Sequence, residues 1–152
     1  MQQVDTLNKE VLGKLKDLVR VNIDSAEGFR SAADTIESQP IASLFRDIAQ
    51  ARESHASELQ SVLRFAGEDI PDSGTVKGSL HRWWTKARGT LNGGDDHVML
   101  IEAERGEDAI KARYEDVLPK IAGNAINDVL LRHYAEVKRG HDSVRDLRDA
   151  KK

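Results

Sequence analysis

The chain contains no cysteine in 152 residues, which excludes disulfides, thiolate metal sites and thiol nucleophiles together. Prolines number only three, so long helices can run without interruption. No stretch approaches the roughly 20 apolar residues a membrane helix needs, and the first 18 residues are charged and amphipathic instead of carrying the apolar run of a signal peptide. No surplus of positive charge is present: 23 basic against 26 acidic residues leave a net charge of -3, which gives no general attraction for nucleic acid. Internal repeats, low-complexity segments, phosphate-binding loops and dinucleotide fingerprints are also missing. What remains is a charged, aliphatic, helix-favouring composition with 39% hydrophobic and 32% charged residues, the expectation for one all-α cytoplasmic domain spanning 1–152.

The hydrophobic periodicity divides that domain into four. Val4, Leu7, Val11, Leu15, Leu18, Asn22, Ala26, Phe29, Ala33 and Ile36 recur at three- and four-residue steps and mark one long amphipathic helix. It ends at Ser38-Gln39-Pro40, since Pro40 suits the first turn of a new helix but not the interior of an old one. A second helix carries Ile41, Leu44, Phe45, Ile48, Leu59, Val62 and Leu63 on one face and stops at Gly67. The third begins with Asp95 or Asp96 as N-cap and runs through Met99, Ala103, Ile110, Tyr114 and Val117. Pro119 separates it from a fourth, with Ile126, Val129, Leu130, Val137, Val144 and Leu147 as its stripe.

At about 1.5 Å per residue such helices are roughly 35 to 50 Å long, which suits a bundle. The joints at Pro40 and Pro119 are short and imply antiparallel neighbours, whereas 28 residues, Gly67 to Gly94, separate the second helix from the third. A connection of that length can cross along the bundle, the ferritin-like arrangement. Within it Val76, Leu80, Trp83, Trp84, Ala87 and Leu91 fall on one side of a short helix and Lys77, His81, Arg82, Lys86 and Arg88 on the other. The expectation is that Trp83 and Trp84 anchor the crossover on the bundle while Arg82, Lys86 and Arg88 stay exposed. A contact with nucleic acid, an anionic membrane surface or a partner protein is the competing use of the same residues.

Glu27-Gly28-Phe29-Arg30, Glu58-Leu59-Gln60, Gly78-Ser79-Leu80-His81-Arg82-Trp83-Trp84, Glu104-Arg105-Gly106-Glu107-Asp108 and His141-Asp142-Ser143-Val144-Arg145 occur in that order. Together they resemble a bacterial ferritin-like four-helix-bundle family that carries only a domain-of-unknown-function label. The resemblance implies the fold and no settled chemistry. More distant relatives by fold, the ferritins and rubrerythrins, hold two metal ions with Glu residues and Glu-x-x-His pairs. This chain lacks that pair: Arg52, Gly78, Gly94, Leu130 and Lys138 stand three residues before its histidines.

Helical phase nonetheless turns Asn22, His55, Glu107 and His133 inward, each from a different helix, with Arg52 close to the inward direction. All five lie near mid-helix and should meet in one polar layer. One reading is a buried hydrogen-bonded cluster in which Glu107 pairs with Arg52 and the histidines, because buried charge persists only when paired. The other is a mononuclear Fe or Zn site built from His55, His133 and Glu107. Arg52 favours the first, since a permanent cation repels a metal and supplies Glu107 with a partner.

Helices two and four also carry His-x-x-Glu, His55 with Glu58 and His133 with Glu136, while helices one and three carry Asp24 with Glu27 and Glu104 with Glu107. This is a di-metal ligand pattern in reversed order, so Glu27, Glu58, Glu104 and Glu136 are candidate additional ligands. By phase Glu58 and Glu136 lie on the flanks and Glu27 points away from the core, as ordinary surface carboxylates do. Gly28, Gly106 and Gly140 each cost a helix about 1 kcal/mol relative to alanine and therefore point to close approach. No serine is placed as a nucleophile by a motif. The functional expectation is a non-catalytic stress-related or interaction protein that forms a homo-oligomer such as a dimer, with no nucleic acid partner, no membrane insertion and no cofactor. Its alternative is a metal-binding redox protein using Fe or Zn between the helices.

Overall fold

The computed structural model describes residues 8–71 and 96–150. These form four α-helices, α1 (Lys9–Thr35), α2 (Gln39–Phe65), α3 (Asp96–Val117) and α4 (Ile126–Ala150), with a short 3-10 helix, Leu118–Ile121, between the last two. The described residues contain no strand, so the chain is all-α as its periodicity implies. Val4 and Leu7 of the first stripe lie outside the described residues.

Each helix end has a local cause. Asn8 caps α1 by accepting the Val11 N–H at 2.8 Å. The Ser38 side chain accepts from the Ile41 N–H, and Pro40 occupies the first turn of α2. Beyond Phe65 the Glu68 N–H returns to the Leu63 carbonyl at 2.9 Å, a closure that needs the left-handed backbone of Gly67, whose φ is 79°. Pro119 does not break the α3–α4 joint outright but winds it into the 3-10 turn. Asn124 then accepts the Ile126 N–H at 3.0 Å to start α4.

Packing follows from chain order. α1 lies against α2 along its length and α3 against α4; smaller contacts of α1 with α3 and of α2 with α4 close the ring. Small residues let the first pair approach closely: Ala26, Ala32, Ala33, Ala42 and Ala49 are all buried. Across the same pair Phe29 and Phe45 meet edge to face at 5.0 Å, worth about 0.5–1.5 kcal/mol beyond their burial. Lys16 pairs with Glu68, which sets the end of α2 beside the start of α1. Met99 and Leu100 pack in one cluster with Ile36 and Ile41, which sets the start of α3 at the α1–α2 joint. The exit of α2 and the entry of α3 are thus at opposite ends of the bundle, the endpoint geometry a long crossover requires. The crossover itself, with Trp83, Trp84, Arg82, Lys86 and Arg88, lies outside the described residues.

The core is divided. One apolar cluster is built on Val11, Leu15, Leu18, Leu59, Leu63, Ile110, Val117 and Leu130. The second gathers Phe29, Ile36, Ile41, Phe45, Met99, Leu100 and Val144. Asn22, Arg52, His55, Glu107 and His133 are all buried at mid-helix.

Candidate functional site

The five polar residues do not form one group; they divide into two sets. In the first, the Arg52 guanidinium donates to Glu107 Oε2 across the bundle, both side chains out of solvent. Burial pushes the Glu107 carboxyl up and the Arg52 charge works against that shift. Gly140 explains how the pair fits inside: a Cβ there would stand 2.7 Å from Glu107 Oε2 and 3.4 Å from Arg52 Nη2. The close approach anticipated for mid-helix glycine is therefore made by a carboxylate reaching over from α3.

The second set holds the histidines. Their rings stack with centroids 4.0 Å apart and planes 17° from parallel. His55 Nε2 is 2.6 Å from Glu136 Oε1, and His133 Nε2 is 2.9 Å from Glu58 Oε1. The two His-x-x-Glu segments are thus crossed: the histidine of each helix bonds the glutamate of the other. A carboxylate can only accept, so each Nε2 carries the hydrogen. His133 Nδ1 then has a lone pair that accepts from the Tyr114 hydroxyl at 3.0 Å. That oxygen in turn accepts from Asn22 Nδ2 at 3.0 Å, and Asn22 also donates to the Leu18 carbonyl at 2.8 Å. Arg132 completes the outer end by holding both oxygens of Glu58 at 2.9 and 2.8 Å.

This arrangement corrects two expectations. Glu107 does not pair with the histidines; its carboxylate turns to Arg52 and leaves the imidazoles to Glu58 and Glu136. Those two glutamates are not ordinary surface carboxylates either, although their side chains keep 36% and 38% of their exposure. From the flanks they reach inward over the seam between α2 and α4. Glu27 is exposed, as its phase implies. Glu104 turns to another histidine: His141 Nε2 lies 3.3 Å from Glu104 and 2.9 Å from Asp108, and Arg148 also holds Glu104.

The electrostatics keep the imidazoles neutral and the glutamates charged. Burial, aided by the neighbouring ring, pushes His55 down to about 4. His133 is lowered too, by burial acting against the Glu58 hydrogen bond. The Arg132 hydrogen bonds hold Glu58 down at about 2. Burial would raise Glu136, but the hydrogen bond and charge of His55 outweigh it and the carboxyl is lowered. Burial raises the Tyr114 hydroxyl, which stays a hydrogen-bond donor throughout the physiological range. Outside the seam, His55, Glu58, Arg132 and Glu136 line a shallow groove of about 980 Å³ together with Asp47 and Ser54.

As metal donors these residues do not converge. Among the described residues no three His, Asp or Glu side chains are placed to hold one ion. Arg52 occupies Glu107, and each histidine nitrogen that faces the groove already has a carboxylate. Sequence reasoning missed Tyr114 as a polar member of the layer and Glu58 and Glu136 as partners of the histidines. One signal was available: the same His-x-x-Glu spacing on two helices of opposite direction brings each histidine opposite the other helix's glutamate.

The fold and this layer define an all-α four-helix protein with a paired polar centre. The chain belongs to the family described as domain of unknown function DUF2383, whose model matches residues 10–120. The matched stretch holds Asn22, Arg52, His55, Glu58, Glu107 and Tyr114, while His133, Glu136 and Gly140 follow it. No curated protein matches the chain. No helix among the described residues is long and apolar enough to cross a membrane.

Proposed function

We propose that the protein is a non-catalytic, cytoplasmic helical bundle that acts by association, in a stress-related or interaction role, and that its polar layer serves the fold. The observation that carries this reading is the closure of the layer's charges. Glu107 is met by Arg52, Glu136 by His55, and Glu58 by both His133 and Arg132. Acid–base work needs a group free to reach a reactant, and at the groove the ionisable members of the layer are already engaged with each other. Support for association comes from Phe65 and Leu131, which are 82% and 47% exposed, large apolar side chains that a homo-oligomer such as a dimer would cover.

Sedimentation equilibrium of the full chain, combined with elemental analysis of protein purified without added metal, tests this. A dimer or larger species that dissociates on Phe65→Ser or Leu131→Ser, with no bound metal, is the expected result. Stoichiometric Fe or Zn that is lost in His55→Ala or His133→Ala would replace this reading with that of a metal-binding redox protein.

A further inference from the structure

The contact between α2 and α4 is the thinnest of those that close the bundle. Its side-chain hydrogen bonds include His55 to Glu136, His133 to Glu58 and two from Arg132 to Glu58, so the two imidazoles take part in half of these four. We infer that the stacked His55–His133 pair is an acid-operated latch: protonation of both rings parts α2 from α4 at mid-bundle while the helices themselves persist.

The geometry leaves no room for two added protons. Two imidazolium rings 4.0 Å apart face to face would repel in a site poorly screened by solvent. The other charges beside them are Arg52 and Glu58 from α2 and Arg132 and Glu136 from α4, while Glu107 on α3 is held by Arg52. α3 adds the neutral Tyr114 and α1 the neutral Asn22; Asp24 is about 200° around α1 from Asn22. Glu58 and Glu136 favour a proton on the ring each one holds, but Glu58 is already shared with Arg132, and Arg52 adds positive charge beside His55.

Hydrogen-bond direction acts the same way. A proton on His133 Nδ1 would set an N–H against the Tyr114 O–H, which now donates to that atom, and force the Tyr114–Asn22 chain to reverse. His55 Nδ1 is buried without a hydrogen-bond partner, so a proton there would be a donor with no acceptor. Opening would release both conflicts by letting water reach the rings. It would also uncover the inner faces of α2 and α4 around Leu59, Leu130 and Val137, an apolar surface present only in acid. The inference stands apart from the association reading, because the latch needs no partner.

Hydrogen exchange of the full chain at pH 7.5 and pH 3.5, corrected for intrinsic rates, tests it. Protection of amides at 54–59 and 130–137 should fall by at least about tenfold, while that of 26–33 changes by less than about threefold and helical circular dichroism is retained. The double variant His55→Gln/His133→Gln should lose this selective fall. If that variant does not fold, NMR titration of the wild-type imidazoles replaces it, and both rings should take up protons in the pH interval where protection is lost. Unchanged protection at pH 3.5, uniform loss together with helicity, a wild-type response in the double variant, or protection lost where neither ring titrates would each overturn the latch.

Discussion

The two sets of the polar layer solve one problem in different ways. Arg52 and Glu107 are sealed, with side chains 1% and 0% exposed, and each neutralises the other out of contact with bulk solvent. The histidine set sits equally deep, but its carboxylates stand at the groove with more than a third of their surface in solvent. Burial therefore selects a permanent ion pair in one place and neutral imidazoles in the other. A charge with no route to solvent needs a fixed counter-charge, whereas a histidine can give up its proton and remain buried.

The sharpest way to break the comparison is to remove the cation from the sealed set. Arg52→Met leaves Glu107 buried without a counter-charge and should destabilise the fold by about 3–5 kcal/mol near pH 8. The loss should shrink toward pH 5, because Glu107 can escape by taking a proton. Glu107→Gln keeps the shape and an acceptor for Arg52 but leaves a guanidinium that cannot give up its charge, so its cost, at least about 1–3 kcal/mol, should not shrink toward pH 5. Urea unfolding of both variants at the two pH values measures this, and a pH-independent loss in Arg52→Met would mean that Glu107 stays ionised unaided.

The histidine set should instead respond to pH in the wild type. His55 is pushed down to about 4 in the fold and returns to about 6.5 when unfolded. The unfolded chain therefore binds the extra proton first, and stability falls as pH drops from about 6.5 to about 4, by roughly 3 kcal/mol for this group. Glu58 has the opposite origin: its lowered value contributes stability above the unfolded carboxyl range that is lost as pH falls through about 2. Thermal melts from pH 8 to pH 2 should show two separate declines. In His55→Gln the upper decline should diminish and the lower one remain.

Tyr114→Phe probes the link from the histidines to α1. Its hydroxyl joins Asn22 to His133, and removing it leaves His133 Nδ1 unpaired and one Asn22 N–H without an acceptor, at a cost of about 1–3 kcal/mol in denaturant unfolding. A loss as small as that of an exposed tyrosine would show that these groups find other partners.

The smallest effect comes from a pair of glycines. Gly140→Ala brings a Cβ against Glu107 and Arg52 and should destabilise by about 1 kcal/mol or more, the strain exceeding the helical gain. Gly13→Ala, on an exposed stretch of α1 where a Cβ meets nothing within 4 Å, should stabilise by about 0.5–1 kcal/mol. Melting temperatures that move in the same direction for both would show that the sealed pair tolerates the added atom.

The amino-acid sequence by itself determined the helices and which side of each faces in. Three- and four-residue spacing of apolar side chains and the glycine and proline at the ends act within one segment, so they can be read along the chain. The same phase argument turns Asn22, Arg52, His55, Glu107 and His133 toward the middle. Only the tertiary structure decided which of them touch. Helical phase gives a direction around one axis, whereas a hydrogen bond depends on the register between two axes and on how far a side chain can reach. Glu58 and Glu136 start on the flanks and still capture the histidines, because a glutamate is long enough to lean over the α2–α4 seam. Glu107, pointing inward, goes to Arg52 because α4 offers a glycine in the space between them.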